Sequence, residues 1–183
     1  MNYGNIKYFD IADGEGVRTT LFVSGCTHHC KGCFQPETWD FDYGEPFTNE
    51  VAERIFESVD SPFIAGLTVL GGEPMEPGNQ RALVGFLEEF RRRCPDKTIW
   101  MYTGDTFEGL TDEASPRRTE VTDRVLACLD VLVDGPFVEE LKDISARFRG
   151  SSNQRILDVP ATLAAGTVVE WRGDEMFAER GTW

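Results

Sequence analysis

Three cysteines on one short segment constrain this chain more than any other feature of its sequence. Cys26, Cys30 and Cys33 follow an apolar run over residues 17–25, which predicts a strand that ends at a loop. Three sulfur atoms on such a loop can bind a single metal centre. Thiolates are the ligands that select iron-sulfur clusters, zinc or copper, and three of them leave one coordination position open. The spacing therefore predicts a metal centre with an open coordination position, which is typical of a catalytic site and not of a structural one.

Structural zinc and metal-free thiols are the alternatives to an open metal centre. His28 or His29 could complete a Cys3His site, but a histidine inside so short a loop would strain the tetrahedron. The sequence also has no second cysteine pair at zinc-finger spacing. We favour the open metal centre and expect both histidines to be loop residues, not ligands.

Length and composition indicate one cytoplasmic globular domain. The 183 residues suit a single core, and 40% apolar and 27% charged residues are typical of a soluble protein. No apolar run approaches the length of a membrane span, and the first residues do not resemble a signal peptide. Because cytoplasmic thiols stay reduced, we interpret the clustered cysteines as metal ligands and the isolated Cys94 and Cys128 as core residues.

The net charge of -14 argues against a nucleic-acid partner. Phosphate binding requires lysine and arginine clustered on one surface, and the longest basic run covers only residues 91–93. These three arginines close a predicted helix, where they complement the negative end of the helix dipole. We therefore expect neither nucleic acid nor membrane as a partner.

The remainder of the chain alternates predicted strands, glycine-containing turns and helices. Further strands are predicted over residues 67–70, 98–102 and 131–133, and helices over 51–59, 83–90 and 122–129. This alternation predicts an α/β fold with a mostly parallel sheet. Because ligands bind at the carboxyl ends of such strands, we expect the turns that follow them to face one common site.

The cysteine pattern resembles the cluster loop of the radical S-adenosylmethionine (radical SAM) superfamily. In that superfamily three cysteines hold a 4Fe-4S cluster, and SAM binds the fourth iron. Gly32 precedes the third cysteine and Phe34 follows it. This arrangement is similar to the CxGC(Y/F) version found in the anaerobic ribonucleotide reductase activating proteins.

Four further segments agree with this resemblance and follow the expected order. Residues 13–18 resemble the DGPGxR segment of glycyl-radical-enzyme activases, with Glu15 in place of the usual proline. Residues 35–39 resemble the polar stretch, ending in tryptophan, that follows the cysteines. Residues 71–74 resemble the motif that binds the amino group of SAM, and residues 131–154 resemble the C-terminal signature of the reductase activases.

The resemblance implies a partial, open βα barrel of the radical SAM type, with a mostly parallel sheet. It covers about residues 1–155, which we interpret as a radical SAM core domain. Residues 156–183 would form a C-terminal extension packed on the same domain, with a β-like stretch over residues 166–171 and an acidic tail.

The resemblance also implies a function and a set of site residues. The protein would cleave SAM reductively to a 5'-deoxyadenosyl radical, which removes a hydrogen atom from a glycine of the anaerobic ribonucleoside-triphosphate reductase large subunit. A low-potential electron donor such as flavodoxin or ferredoxin would supply the electron, and no catalytic acid or base is needed. The cluster ligands would be Cys26, Cys30 and Cys33, and the cofactor-binding residues Gly32, Cys33, Phe34, Gly71, Gly72 and Glu73.

Two other functions compete with this interpretation. A small radical SAM synthase, such as a 7-carboxy-7-deazaguanine synthase, would use the same cofactors on a purine-like substrate. A non-enzymatic metal-binding or electron-transfer module would hold a metal without cleaving SAM. Residues 134–137 and 149–154 favour the reductase activases over the synthase.

Overall fold

One seven-stranded sheet organises residues 1–173, the part of the chain that the computed structural model describes. The strands lie in the order β3-β1-β2-β4-β5-β6-β7, so that β3 and β7 form its two open edges. Their bounds are β1 Asn2–Asp10, β2 Arg18–Val23, β3 Glu45–Pro46, β4 Gly66–Gly71, β5 Thr98–Tyr102, β6 Val131–Asp134 and β7 Arg155–Asp158.

The prediction of an α/β fold is confirmed, with a sheet that is mixed. Strands β2, β4, β5 and β6 are parallel neighbours, whereas β1, β3 and β7 pair in antiparallel fashion. Strand β1 was not predicted because most of its residues are partly or fully exposed, so it lacks a continuous apolar run. The β-like stretch over residues 166–171 makes a single bridge, from Glu170 to Leu157.

Five helices cover one face of this sheet. They are α1 Asn49–Val59, α2 Pro77–Arg93, α3 Phe107–Thr111, α4 Thr122–Ala127 and α5 Val159–Ala165. Their apolar side chains form one core cluster with alternate residues of the strands, including Val69 and Met101. Cys128 is buried in this core and Cys94 packs against it, as predicted. Across residues 1–173, every helix is too short or too polar to cross a membrane.

The opposite face of the sheet carries the intervening side chains, since successive residues of a strand point to opposite sides. Trp100 lies at its centre, with the rings of Phe148 and Trp171 packed edge-on at 5.3 and 4.9 Å. Arg18 is buried beside Trp100, with its guanidinium 5.5 Å from the ring centroid. This face therefore has its own apolar centre and lacks the helical cover of the other.

Arg18 fixes the glycine-containing turn between β1 and β2. Its guanidinium donates hydrogen bonds to the carbonyl oxygens of Glu15, Leu67 and Thr98 at 2.8 to 3.0 Å. A buried cation is tolerated only when such partners satisfy it, and burial lowers the pKa of Arg18 to about 10, so the group stays charged at neutral pH. Arg18 thereby links the turn to strands β4 and β5.

Candidate functional site

A cavity of about 430 Å³ opens at the carboxyl ends of the four parallel strands. Its size lies within the range typical of small-molecule sites. Strand residues Leu70 and Tyr102, which alternate with core residues, place it on the face without helices. The site residues predicted from the sequence all line this cavity: Cys26, Cys30, Gly32, Cys33, Phe34, Gly71, Gly72 and Glu73.

The three clustered cysteines lie on the loop that follows β2. All are free thiols, with Cys26 buried and Cys30 and Cys33 partly exposed to the cavity. Burial raises the pKa of the Cys26 thiol to about 11, although backbone N–H groups of His28 and His29 oppose this shift. A metal that binds here must therefore displace a proton from Cys26.

The donor set of this loop fits an iron-sulfur cluster with an open position. Three sulfur atoms line one cavity, and thiolates are the ligands such clusters prefer. The turn between the second and third cysteine is closed by a 3.1 Å hydrogen bond from the Cys33 N–H to the Cys30 carbonyl. Gly32 occupies that turn with φ of +74°, a conformation that favours glycine.

The two histidines of the loop have partners other than the cysteines. His28 Nε2 lies 3.2 Å from Asp105 Oδ2 and 3.0 Å from Glu73 Oε2, and these carboxylates raise the pKa of His28 to about 10. The His29 ring lies 4.6 Å from the ring of Trp39. Both contacts are consistent with loop residues and leave the Cys3His zinc site without support.

Gly71 and Gly72 bring the end of β4 against the start of the cysteine loop. The N–H of Gly72 donates to Val23 O at 2.7 Å, and a Cβ on Gly72 would lie 2.6 Å from Gly25 O. Gly71 has φ of +110°, and its Cβ would lie 2.7 Å from Val23 O. The close approach of two backbones therefore requires both glycines, in addition to any ligand contact.

The side chain of Glu73 is 1% exposed. It links the loop that follows β4 to the loop that follows β5. Its Oε1 accepts from the Met75 N–H at 2.8 Å. Its Oε2 accepts from the Gly104 N–H at 2.8 Å and also contacts His28. The predicted contact of Glu73 with SAM stays a prediction, since its carboxylate is engaged by protein groups in this structure.

Several cavity residues were not predicted as site residues. They are Trp39, which follows the cysteine loop, and Tyr102, Thr103, Gly104, Phe137, Phe148, Arg149 and Gln154, which lie at the end of β5 or in the segment after β6. The hydroxyl of Tyr102 is buried without a hydrogen-bond partner among the described residues, and burial raises its pKa. For Thr103 and Gly104, the sequence signal was their position directly after β5, because residues that follow parallel strands meet at one edge of the sheet.

Asp13 also lines the cavity and allows a prediction about the pH dependence of stability. Burial, with nearby Asp10, raises the pKa of Asp13 from its ordinary value of 3.8 to about 7. Within this window the unfolded chain loses the Asp13 proton while the folded chain keeps it, so this group lowers stability as pH rises. We expect Asp13→Asn to unfold at higher urea than the parent at about pH 8, with a smaller gain near about pH 5. A pH-independent difference would contradict this assignment.

Comparison with known proteins agrees with this geometry. Residues 12–157 match the family model of the 4Fe-4S single cluster domain, which confirms the expected class of metal centre. The anaerobic ribonucleoside-triphosphate reductase-activating protein of Vibrio cholerae is 39% identical over 158 residues, which cover 85% of this chain and 97% of that protein. The protein of the same name from Escherichia coli K12 is 40% identical over 84% of this chain and 96% of its own length.

A more distant relative has the same name. The protein from Enterobacteria phage T4 is 34% identical over 156 residues, which cover 85% of this chain and 93% of the phage protein. These alignments extend over nearly the whole of each relative, so the similarity is not confined to the cysteine loop. The resemblance inferred from the sequence is confirmed: this chain belongs to the family of anaerobic ribonucleoside-triphosphate reductase-activating proteins.

Proposed function

We propose that this protein is an iron-sulfur and SAM-dependent activase that generates the glycyl radical of anaerobic ribonucleoside-triphosphate reductase. The observation that carries the proposal is that three free thiols and the glycine-bearing end of β4 line the same cavity. The names of its relatives identify the reductase as the protein that those relatives activate. Membership of their family supports the same reaction for this chain.

The fold supports the finer assignment to a partial βα barrel of the radical SAM type. Four parallel strands have helices on one face and the cavity at their carboxyl ends. We propose residues 1–155 as the core domain and 156–183 as an extension on it. Strand β7 pairs with β6 in support of that extension, whereas the acidic tail over residues 174–183 lies outside the described residues.

In the proposed mechanism Cys26, Cys30 and Cys33 would hold the cluster, and SAM would bind beside it in the same cavity. The bound cofactors would supply the chemistry, the one-electron reductive cleavage of SAM to methionine and a 5'-deoxyadenosyl radical. The protein supplies orientation and the exclusion of water. Gly71 and Gly72 hold the cysteine loop against the end of β4 and so fix both parts of the site relative to one another.

Large exposed apolar side chains lie at or next to the cavity, which supports a macromolecular substrate. We name Ile11, Phe34 and Ile144 the apolar rim; they are 74%, 79% and 94% exposed. Phe34 and Ile144 line the cavity itself, and Ile11 adjoins the lining residue Ala12. Exposed apolar groups beside a site are typical of a surface that a partner covers. We propose that a glycine-bearing segment of the reductase large subunit enters here.

The electron donor, flavodoxin or ferredoxin, and the cytoplasmic location stay predictions.

The proposal is tested by anaerobic reconstitution of the full chain with iron and sulfide. We expect four irons and four sulfides per chain by metal and sulfide analysis, in keeping with a 4Fe-4S cluster. With a low-potential reductant, SAM should yield methionine and 5'-deoxyadenosine, and the reductase should acquire a glycyl radical signal in electron paramagnetic resonance. A bound zinc ion without SAM cleavage would favour the metal-binding module. SAM cleavage without a radical on the reductase would favour the synthase.

A further inference from the structure

A network of partly and fully buried charged residues contacts the segment between Cys26 and Cys30. We name it the Arg117 cluster; its members are Arg117, Glu76, Asp105, Glu73 and His28. Arg117 comes from the connection between α3 and α4, and its side chain is only 13% exposed. Its guanidinium reaches Glu76 Oε2 at 2.5 Å and Asp105 Oδ2 at 3.0 Å. One cation therefore joins the loops that follow β4 and β5.

The cluster holds Thr27, the residue directly after the first cysteine, by three hydrogen bonds. Glu76 Oε1 accepts from the Thr27 N–H at 2.8 Å and from the Thr27 hydroxyl at 2.7 Å. Arg117 donates to the same hydroxyl at 2.9 Å. Although burial opposes its ionisation, these bonds from Thr27 and Arg117 hold the pKa of Glu76 below its ordinary value. A charged acceptor therefore fixes both the backbone and the side chain of Thr27.

The next residue, His28, is held by the other half of the cluster. Its Nε2 contacts Glu73 and Asp105, and a Cβ on Gly104 would lie within 2.8 Å of its ring. Asp105 is the acceptor shared by His28 and Arg117. Two of the three residues between Cys26 and Cys30 are thus bound to one ionic network, and His29 packs on Trp39.

We propose that Arg117 and Glu76 are positioning residues that pre-organise the segment between Cys26 and Cys30 to receive the cluster. This inference rests on the proposed function, because it assumes that these cysteines are cluster ligands. Without the network, Thr27 and His28 would have to be ordered when the cluster binds, and that conformational entropy would weaken binding. Residues behind a ligand set commonly affect metal binding by orienting the ligands.

The test compares Arg117→Gln with Arg118→Gln in the full chain. Arg118 is the adjacent arginine and makes a two-hydrogen-bond pair with exposed Asp123, away from the cysteine loop. In the metal-free proteins, hydrogen exchange of the Thr27 amide should be about tenfold or more faster in Arg117→Gln only, because Glu76, the acceptor of that amide, is no longer held in place by Arg117. After reconstitution, a chelator should remove iron about 10- to 100-fold faster from the same variant.

A second variant separates positioning from general destabilisation. Arg117→Lys keeps the charge but lacks the planar fork that reaches Glu76 and Asp105 together, so its exchange and iron-loss rates should fall between those of the parent and Arg117→Gln. The signal of the reduced cluster in electron paramagnetic resonance should also change for Arg117→Gln.

Exchange and iron-loss rates equal to those of Arg118→Gln would overturn the proposal, as would faster exchange spread evenly over the core strands. Failure of the parent protein to bind a cluster would instead refute the proposed function, because exchange in the metal-free protein tests the network separately.

Discussion

Replacing Cys30 with serine is expected to abolish reductive cleavage of SAM while the protein remains folded. Cys30 lies on a loop, is partly exposed to the cavity, and is absent from both apolar clusters of the described residues. Its loss should therefore leave the core unchanged but remove one of three cluster ligands. Since even residues behind a ligand set commonly contribute 10- to 100-fold, we expect the rate to fall by more than about 100-fold. Formation of 5'-deoxyadenosine under anaerobic conditions measures this loss.

Cys94→Ser is the matched control for this substitution. Cys94 is also a partly exposed free thiol, but it follows α2 and packs against the core far from the cysteine loop in sequence. The control should retain iron, sulfide and SAM cleavage at the level of the parent protein. A Cys30→Ser variant with a complete cluster and undiminished SAM cleavage would refute the assignment of Cys30 as a ligand.

Replacing Ile144 with aspartate is expected to separate SAM cleavage from activation of the reductase. Ile144 belongs to the apolar rim and is 94% exposed, so the substitution removes no buried contact. A charge at this position would have to be desolvated when the reductase segment enters. Because the loss of a hot-spot residue from an interface costs about 2 kcal/mol or more, the apparent affinity for the reductase should fall about tenfold or more.

The measurement is the glycyl radical formed on the reductase at increasing reductase concentration, beside SAM cleavage in its absence. Phe63→Asp provides the control, since Phe63 is 81% exposed but precedes β4 and so lies at the amino ends of the parallel strands. The control should activate the reductase as the parent does. Equal activation by Ile144→Asp and the parent would show that the reductase does not bind at the apolar rim.

The cysteine loop and the β4 turn were predicted as one site because each follows an apolar strand. Parallel strands end at the same edge of a sheet, so a local pattern is enough to predict that Cys26 and Gly72 lie near each other. The sequence pattern did not show why position 72 requires glycine. A side chain there would collide with Gly25 O, and this contact joins segments that are 47 residues apart in the sequence.

Arg117 illustrates what sequence patterns could not predict. It lies in an irregular connection, next to a second arginine of the same type, and nothing local distinguishes the two. In the folded chain Arg117 is 13% exposed and bonded to Glu76 and Asp105, whereas Arg118 pairs with a largely exposed Asp123. Strands β1 and β7 were missed for a related reason, since most of their residues are partly or fully exposed and so carry weak hydrophobic periodicity.

Short-range sequence patterns were therefore sufficient to predict the type of metal centre. The spacing of Cys26, Cys30 and Cys33, together with the order of the strand-end turns, predicted a three-thiolate centre on an α/β sheet. Those features depend on residues near one another in the chain, where spacing and hydrophobic periodicity constrain the backbone directly. The ionic support of the loop, the apolar rim and the antiparallel edges depended instead on the folded arrangement. Each of them requires groups from distant segments to meet, and the energies of such contacts depend on burial and geometry that no local pattern contains.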